Sequence, residues 1–430
     1  MTAKGLPGFR DFPPEDFALR AYIFRVWRDV AARYGFEEYD GPPLEPLELY
    51  TSKSGDEIVG QLYTFVDKGD RQVALRPEMT PTLARMVAAR ANGLKKPIRW
   101  FSIPQLFRYE RQQRGRLREH FQLNCDLIGE AGPLADAEII ALSIDMMRGF
   151  GLGPEDVRVR VSDRRYIQLL LEERGVTTEL LPFAFQAIDR VEKDPDRATA
   201  MLNIHFDKTV VQSILDFVPP GSSRAAGASP ADSPLSATLT ALDEMGLGDW
   251  IDFDPTIVRG LAYYTGTVFE LFDAKRTLRA ICGGGRYDSL LDNLGGADLP
   301  ALGFGMGDVV LGELLKDRGL HPTLPASIDA FVASVTPDDV PHVLRLAHEL
   351  RAAGIRVEYA MNAHALGKQL SLANSRAARF AIVIGPDDRE RNEVQLKNLQ
   401  GKTQEAIGRS SLVSRLSSLL SETRPTANNG

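Results

Sequence analysis

The sequence predicts an α+β protein of more than one domain, and three observations carry that expectation. A helical apolar period runs through residues 16–34, a period of two runs through 120–129, and a βαβ rhythm begins near residue 328. At 430 residues the chain exceeds one ordinary domain. Hydrophobic residues at 43% and charged residues at 25% are globular averages. With no apolar run of about 20 residues to span a bilayer and no apolar signal core in MTAKGLPGFRDFPPEDF, a soluble, cytoplasmic protein is expected.

Composition also excludes some chemistries. Cys125 and Cys282 stand far apart and outside any C-x-x-C pair, so two buried thiols are expected rather than a disulfide framework or a zinc site. The six histidines, from His120 to His364, lack metal-ligand spacing, and no protein-held metal is expected. A net charge of −7 does not advertise a polyanion partner, so any RNA contact must be local. RYERQQRGRLR, which concentrates Arg108, Arg111, Arg114, Arg116 and Arg118, is the segment that qualifies.

In chain order, Ile23, Val26, Trp27, Val30 and Tyr34 predict one long amphipathic helix capped by Gly35. Pro42 and Pro43 then force an extended, edge-like segment suited to an interface. Two strands follow, joined by the arginine-rich loop with Gly115 at its turn. Alternation puts His120, Gln122, Asn124 and Asp126 on one face and Phe121, Leu123, Cys125 and Leu127 on the other. The same parity aligns Arg108 with Glu110. Residues 156–250 read as an inserted module, with a mobile loop at 219–234. The glycine-rich RGLAYYTGTVFE, CGGGRYD and ALGFGMGD require backbones to approach something closely. From 328 the strand IDAFVASV, a helix bearing Val343, Leu346, Ala347 and Leu350, the strand IRVEYA, a helix at 366–375, the strand RFAIVIG and a last strand EVQLKNL predict a compact α/β domain. The tail TRPTANNG reads as disordered.

GFRDFPP, YTFVD, LRPEMTPTLAR, FRYERQQRGRLRE, RGLAYYTGTVFE and GGGRYD, in this order, resemble the landmarks of the histidyl-tRNA synthetase family over essentially the whole chain. The resemblance implies a class II synthetase: an antiparallel-sheet catalytic domain with an insertion, plus a C-terminal α/β anticodon-binding domain. The implied divisions are 1–155 and 251–322 for the catalytic domain, 156–250 for the insertion, 323–422 for anticodon binding and 423–430 for the tail. It further implies a homodimer, no membrane association, and L-histidine, ATP with Mg2+ as the substrate complex, and tRNA(His) as partners.

Carried over residue by residue, the resemblance implies that Arg108 holds the ATP α-phosphate, Glu110 the adenine amino group, and Arg116, His120 and Phe121 other parts of the nucleotide. Glu78, Thr80 and Gln122 would meet the α-amino group of histidine, since a buried ammonium needs a partner. Asp126, Tyr263, Tyr264 and Tyr287 would surround the imidazole, with Arg259 as the catalytic arginine opposite Arg108. Arg111, Gln113 and Arg114 would grip the tRNA acceptor end.

The sequence departs from the family pattern at four places. Ala262 stands where aspartate is usual, Gln112 where proline is usual, and His120–Phe121 reverse the usual order. Val310 replaces the arginine that closes motif 3 over the γ-phosphate, a charge that Arg116, or else Arg114, is expected to supply. The alternative reading is a non-aminoacylating regulatory paralogue of ATP phosphoribosyltransferase, which would tolerate the lost charge but generally lacks the last domain.

Overall fold

The computed structural model of the protein describes residues 5–51, 59–111, 113, 115–192, 194–217, 224–225, 233–258, 264–293, 298–322, 328–362 and 364–422. Most of the loop expected at 219–234 and the whole tail at 423–430 lie outside the described residues. The chain divides into two compact units, Met1–Pro322 and Thr323–Gly430.

In the first unit the helix Pro14–Arg33 forms as its periodicity predicts, and Ile23, Val26, Trp27 and Val30 are buried. Each contributes on the order of 1.5–3 kcal/mol of apolar burial. Gly35 ends the helix at φ +72°, a left-handed conformation that glycine adopts without strain.

The helix packs on the unit's main sheet, whose centre is a run of antiparallel strands. Their spatial order is Ile98–Ser102, Glu119–Ile128, Ala301–Gly307, Cys282–Arg286, Thr267–Asp273 and Val157–Asp163. Glu37–Glu38 joins one end and Ile251–Phe253 the other, each parallel to its neighbour. One face receives Leu123, Cys125 and Leu127 into a core shared with the helices Pro14–Arg33, Pro133–Gly149 and Asp308–Asp317. Cys125 and Cys282 are both buried free thiols, as expected. On the other face the helix Thr80–Ala88 packs Leu83, Ala84 and Val87 with Ile98, Ile128 and Tyr287, bounding a groove.

Two expectations change. The strand leading into the arginine-rich loop is Gln105–Phe107, so Arg108 and Glu110 lie beyond it and owe their positions to the loop rather than to strand parity. Arg108 N still donates to Arg118 O at 3.0 Å, after which Gly115 turns the chain at φ +75°. The supposed insertion at 156–250 also gives its first strand, Val157–Asp163, to the main sheet. Its helix Ser236–Glu244 packs Ala241 and Leu242 into the main core. Among the described residues a separate core gathers on the helices between Arg164 and Phe217, where Ile167, Leu171, Ala184, Ile188, Leu202 and Ile214 meet.

In the second unit the sheet order is Val357–Tyr359, Ala330–Ser334, Phe380–Ile384, Glu393–Asn398 and Thr403–Gly408, parallel for the first three and antiparallel thereafter. The predicted strands and helices are present, but EVQLKNL is not the last element. The strand Thr403–Gly408 escapes periodicity because it is exposed at all but Ile407. The helix Leu412–Glu422 then closes the core with Leu412, Leu416 and Leu420.

Candidate active site

The groove lies on the sheet face that carries Gln122, Asn124 and Asp126. Opposite them in the ladder, Gly307, Gly305 and Gly303 pair with these three residues. A β-carbon at Gly303 would stand 2.4 Å from the Asp126 carboxylate, and one at Gly305 would stand 2.8 Å from the Gln122 amide. Gly285, on the next strand, would press a β-carbon 2.9 Å from the Tyr264 ring. The floor is therefore glycine because the polar side chains of its neighbours occupy the space above it.

One wall is the segment 75–80. Arg76, buried, donates to Asp40 Oδ1 at 2.8 Å, Gly41 O at 2.7 Å and Gln105 O at 3.0 Å, which fixes the turn that brings Glu78 and Thr80 to the groove. Arg108 lines the mouth, with its Nε donating to Pro77 O at 2.9 Å. The other wall carries Tyr264 and Tyr287. Tyr287 follows Arg286, a fully buried guanidinium that binds Asp136 at 2.8 Å, Asp288 at 3.1 Å and the carbonyl of Glu130 at 3.1 Å. This anchor holds Tyr287 so that its hydroxyl donates to Asp126 Oδ1.

Electrostatics single out Asp126. Burial pushes its carboxyl up to about 7, against the opposing effect of the Tyr287 hydrogen bond. His120 is held down to about 3 by burial, then by the charges of Arg108 and Arg10, so its imidazole is neutral. Phe121 faces the other way, as alternation requires. It packs edge-on against Phe24 at 5.2 Å and Phe12 at 6.2 Å, away from the groove.

Glu78, Thr80, Arg108, Gln122, Asp126, Tyr264 and Tyr287 are thus brought together. Glu110 and Arg116 pair at 3.2 Å in the arginine-rich loop, which also carries the exposed Arg111 and Gln113. Arg114, Arg259 and Tyr263 lie outside the described residues. Sequence reasoning missed three contributors. Asn124 lines the groove, a position its parity already marked. Arg10 binds Glu119 at 2.6 Å and Asp308 at 2.9 Å, tying GFRDFPP to both strand and helix beside the loop. Arg279, in the turn between two sheet strands, donates to Gln113 Oε1 at 2.5 Å and carries no motif signal.

Comparison with known proteins identifies the family. The family model described as histidyl-tRNA synthetase matches residues 8–307, and that described as anticodon binding domain matches 329–419. A histidine–tRNA ligase of Opitutus terrae is 44% identical, over 95% of this chain and 96% of its own. The crystal structure of histidyl-tRNA synthetase from Nostoc sp. PCC 7120 superposes with a TM-score of 0.79 at 25% identity, covering 97% of this chain and 100% of that one. A Bacillus halodurans structure, described as an ATP phosphoribosyltransferase regulatory subunit/histidyl-tRNA synthetase, shares the fold at a TM-score of 0.73 and 22% identity, over 89% of this chain and 98% of that one. Among the described residues no helix is long and apolar enough to cross a membrane. With both units matched by family models and a relative 44% identical over nearly the whole chain, the chain belongs to the histidyl-tRNA synthetase family.

Proposed function

We propose that this enzyme activates L-histidine with ATP in the glycine-floored groove and transfers it to the terminal adenosine of tRNA(His). The observation that carries the reading is the convergence of Glu78, Gln122, Asp126 and Arg108 on a groove whose floor has no side chains. Glu78 supplies the negative charge that a buried α-ammonium requires, with Thr80 and Gln122 beside it. Asp126, braced by Tyr287, faces the imidazole. A ring that titrates near 6.5 and a carboxyl that titrates at about 7 can share one proton, which favours histidine over amino acids lacking a ring N–H.

In the first step an oxygen of the histidine carboxylate attacks the α-phosphorus, and the bond from that phosphorus to the β-bridging oxygen breaks. Pyrophosphate leaves. Arg108 and Arg259 hold the negative charge that spreads over the α-phosphate, and Glu110 accepts from the adenine amino group. ATP enters as its magnesium complex. In the second step a hydroxyl of the terminal adenosine attacks the activated carbonyl and AMP leaves. Arg111, Gln113 and Arg114 grip the acceptor end while the second unit reads the anticodon, whose single-stranded bases expose their edges. The active form is a cytoplasmic homodimer with the proline-bearing segment FEEYDGPPLEPLELY in its interface. Histidine-dependent exchange of pyrophosphate into ATP tests the reading. Its absence from the folded, purified protein would turn the argument to the regulatory alternative.

A further inference from the structure

We propose that Arg279 supplies the cation over the outer phosphates of ATP that Val310 does not. The inference rests on the placement of ATP given above. Val310 is buried at the start of the helix Asp308–Asp317 and carries no charge, yet the polyphosphate of ATP needs cations near it, because the departing pyrophosphate accumulates negative charge.

The arginine-rich loop folds directly over this spot. A β-carbon on Gly115 would stand 3.3 Å from Cγ2 of Val310 and 3.6 Å from Cδ of Arg279. The side chains of Arg279 and Val310 therefore flank the same glycine of the loop, Arg279 reaching it from a different strand connection. Burial first, and then the charge of the nearby Arg116, depress the proton affinity of Arg279, and Glu110, paired with Arg116, acts in the opposite direction. Two guanidiniums against one carboxylate leave positive charge in excess where the loop meets this turn. Once Glu110 turns to the adenine, both arginines face the phosphates.

The turn that carries Arg279 is braced in a way that an incidental surface arginine does not require. Asp273 accepts from Thr277 Oγ1 at 2.7 Å, from Thr277 N at 3.2 Å and from Arg318 at 2.8 Å. Leu278 packs on the main core, Ile281 is buried, and Ile281 N donates to Leu271 O at 2.8 Å. The backbone is fixed on both sides of residue 279, which leaves its exposed side chain to close on a ligand with little reorganisation. That side chain also donates to Gln113 Oε1, clasping the loop to the turn.

The test is pyrophosphate exchange without tRNA, with Arg279→Ala and Arg279→Lys in the full-length protein, and with AMP as a competitive inhibitor. R279A is expected to raise KM for ATP and for pyrophosphate about tenfold or more. KM for histidine and the inhibition constant of AMP, which lacks the outer phosphates, stay within about twofold. R279K falls between. Unchanged exchange with impaired tRNA charging would assign Arg279 to the acceptor stem and overturn the proposal. A parallel loss of AMP and ATP affinity would also overturn it, by making Arg279 a prop for the loop through Gln113. No exchange by the unsubstituted protein would defeat the underlying placement of ATP, and is told apart because it precedes any substitution.

Discussion

Replacing Asp126 by asparagine should stabilise the protein while disabling it, and the pH dependence of that stabilisation can be worked out. The Asp126 carboxyl is buried and titrates at about 7 in the folded protein, against an ordinary 3.8. In the unfolded chain it therefore gives up its proton some three pH units earlier. Stability is lost as pH rises from about 4 to about 7 and is then level, with a total of about 4 kcal/mol at roughly 1.4 kcal/mol per tenfold change in proton affinity. About 2.5 kcal/mol of it falls between pH 5.0 and 7.5 by the same linkage. Asparagine is neutral throughout and its side-chain oxygen still accepts from Tyr287. The melting temperature of D126N relative to the unsubstituted protein should thus rise by about 4 °C on going from pH 5.0 to 7.5. Differential scanning calorimetry at the two pH values reads this directly. Added histidine should raise the melting temperature of the unsubstituted protein far more than that of the variant. A gap between the two proteins that does not widen with pH would refute the assignment of a costly buried charge to Asp126.

Other consequences follow from the groove and its supports. Gly305→Ala displaces only the end of the Gln122 side chain, so KM for histidine should rise roughly tenfold with stability changed by about 1 kcal/mol or less, whereas Gly303→Ala also presses on the Cys125 carbonyl at 2.5 Å and should lower the denaturation midpoint. Asp136→Ala strands the buried Arg286, which keeps only Asp288 and backbone carbonyls among its recorded partners, and should cost about 3 kcal/mol in urea unfolding. Removing residues from 323 onward should spare pyrophosphate exchange and impair charging, and an equal loss of both would contradict the separation of roles.

Much of the site was legible because strand parity is a strong constraint. Period two alone put Gln122 and Asp126 on one face and Leu123, Cys125 and Leu127 on the other, and the structure keeps that division. It also argues against Phe121 at the nucleotide, since His120 and Phe121 cannot share a face. Where the chain leaves the ladder the rule stops. Arg108 and Glu110 lie just past the end of their strand, in a loop whose shape depends on Gly115 and on side chains far away in sequence. Local pattern missed Val157–Asp163 as a sheet member, because its pairing partner Thr267–Asp273 lies beyond an entire helical module. Thr403–Gly408 was hidden for the opposite reason: an exposed edge strand has no alternation to read. Arg279 has no local mark either, because its significance lies in the loop and helix it meets.

The glycine floor makes the proposed amino-acid site a consequence of strand register. A one-residue slip between Glu119–Ile128 and Ala301–Gly307 would set Phe304 or Met306 where Gly303 and Gly305 now face Asp126 and Gln122, and the cavity would vanish. The space proposed for histidine therefore exists only when distant parts of the chain are aligned. Substrate binding can then act as a proofreader of assembly, drawing a folding population toward the one alignment in which there is room for it.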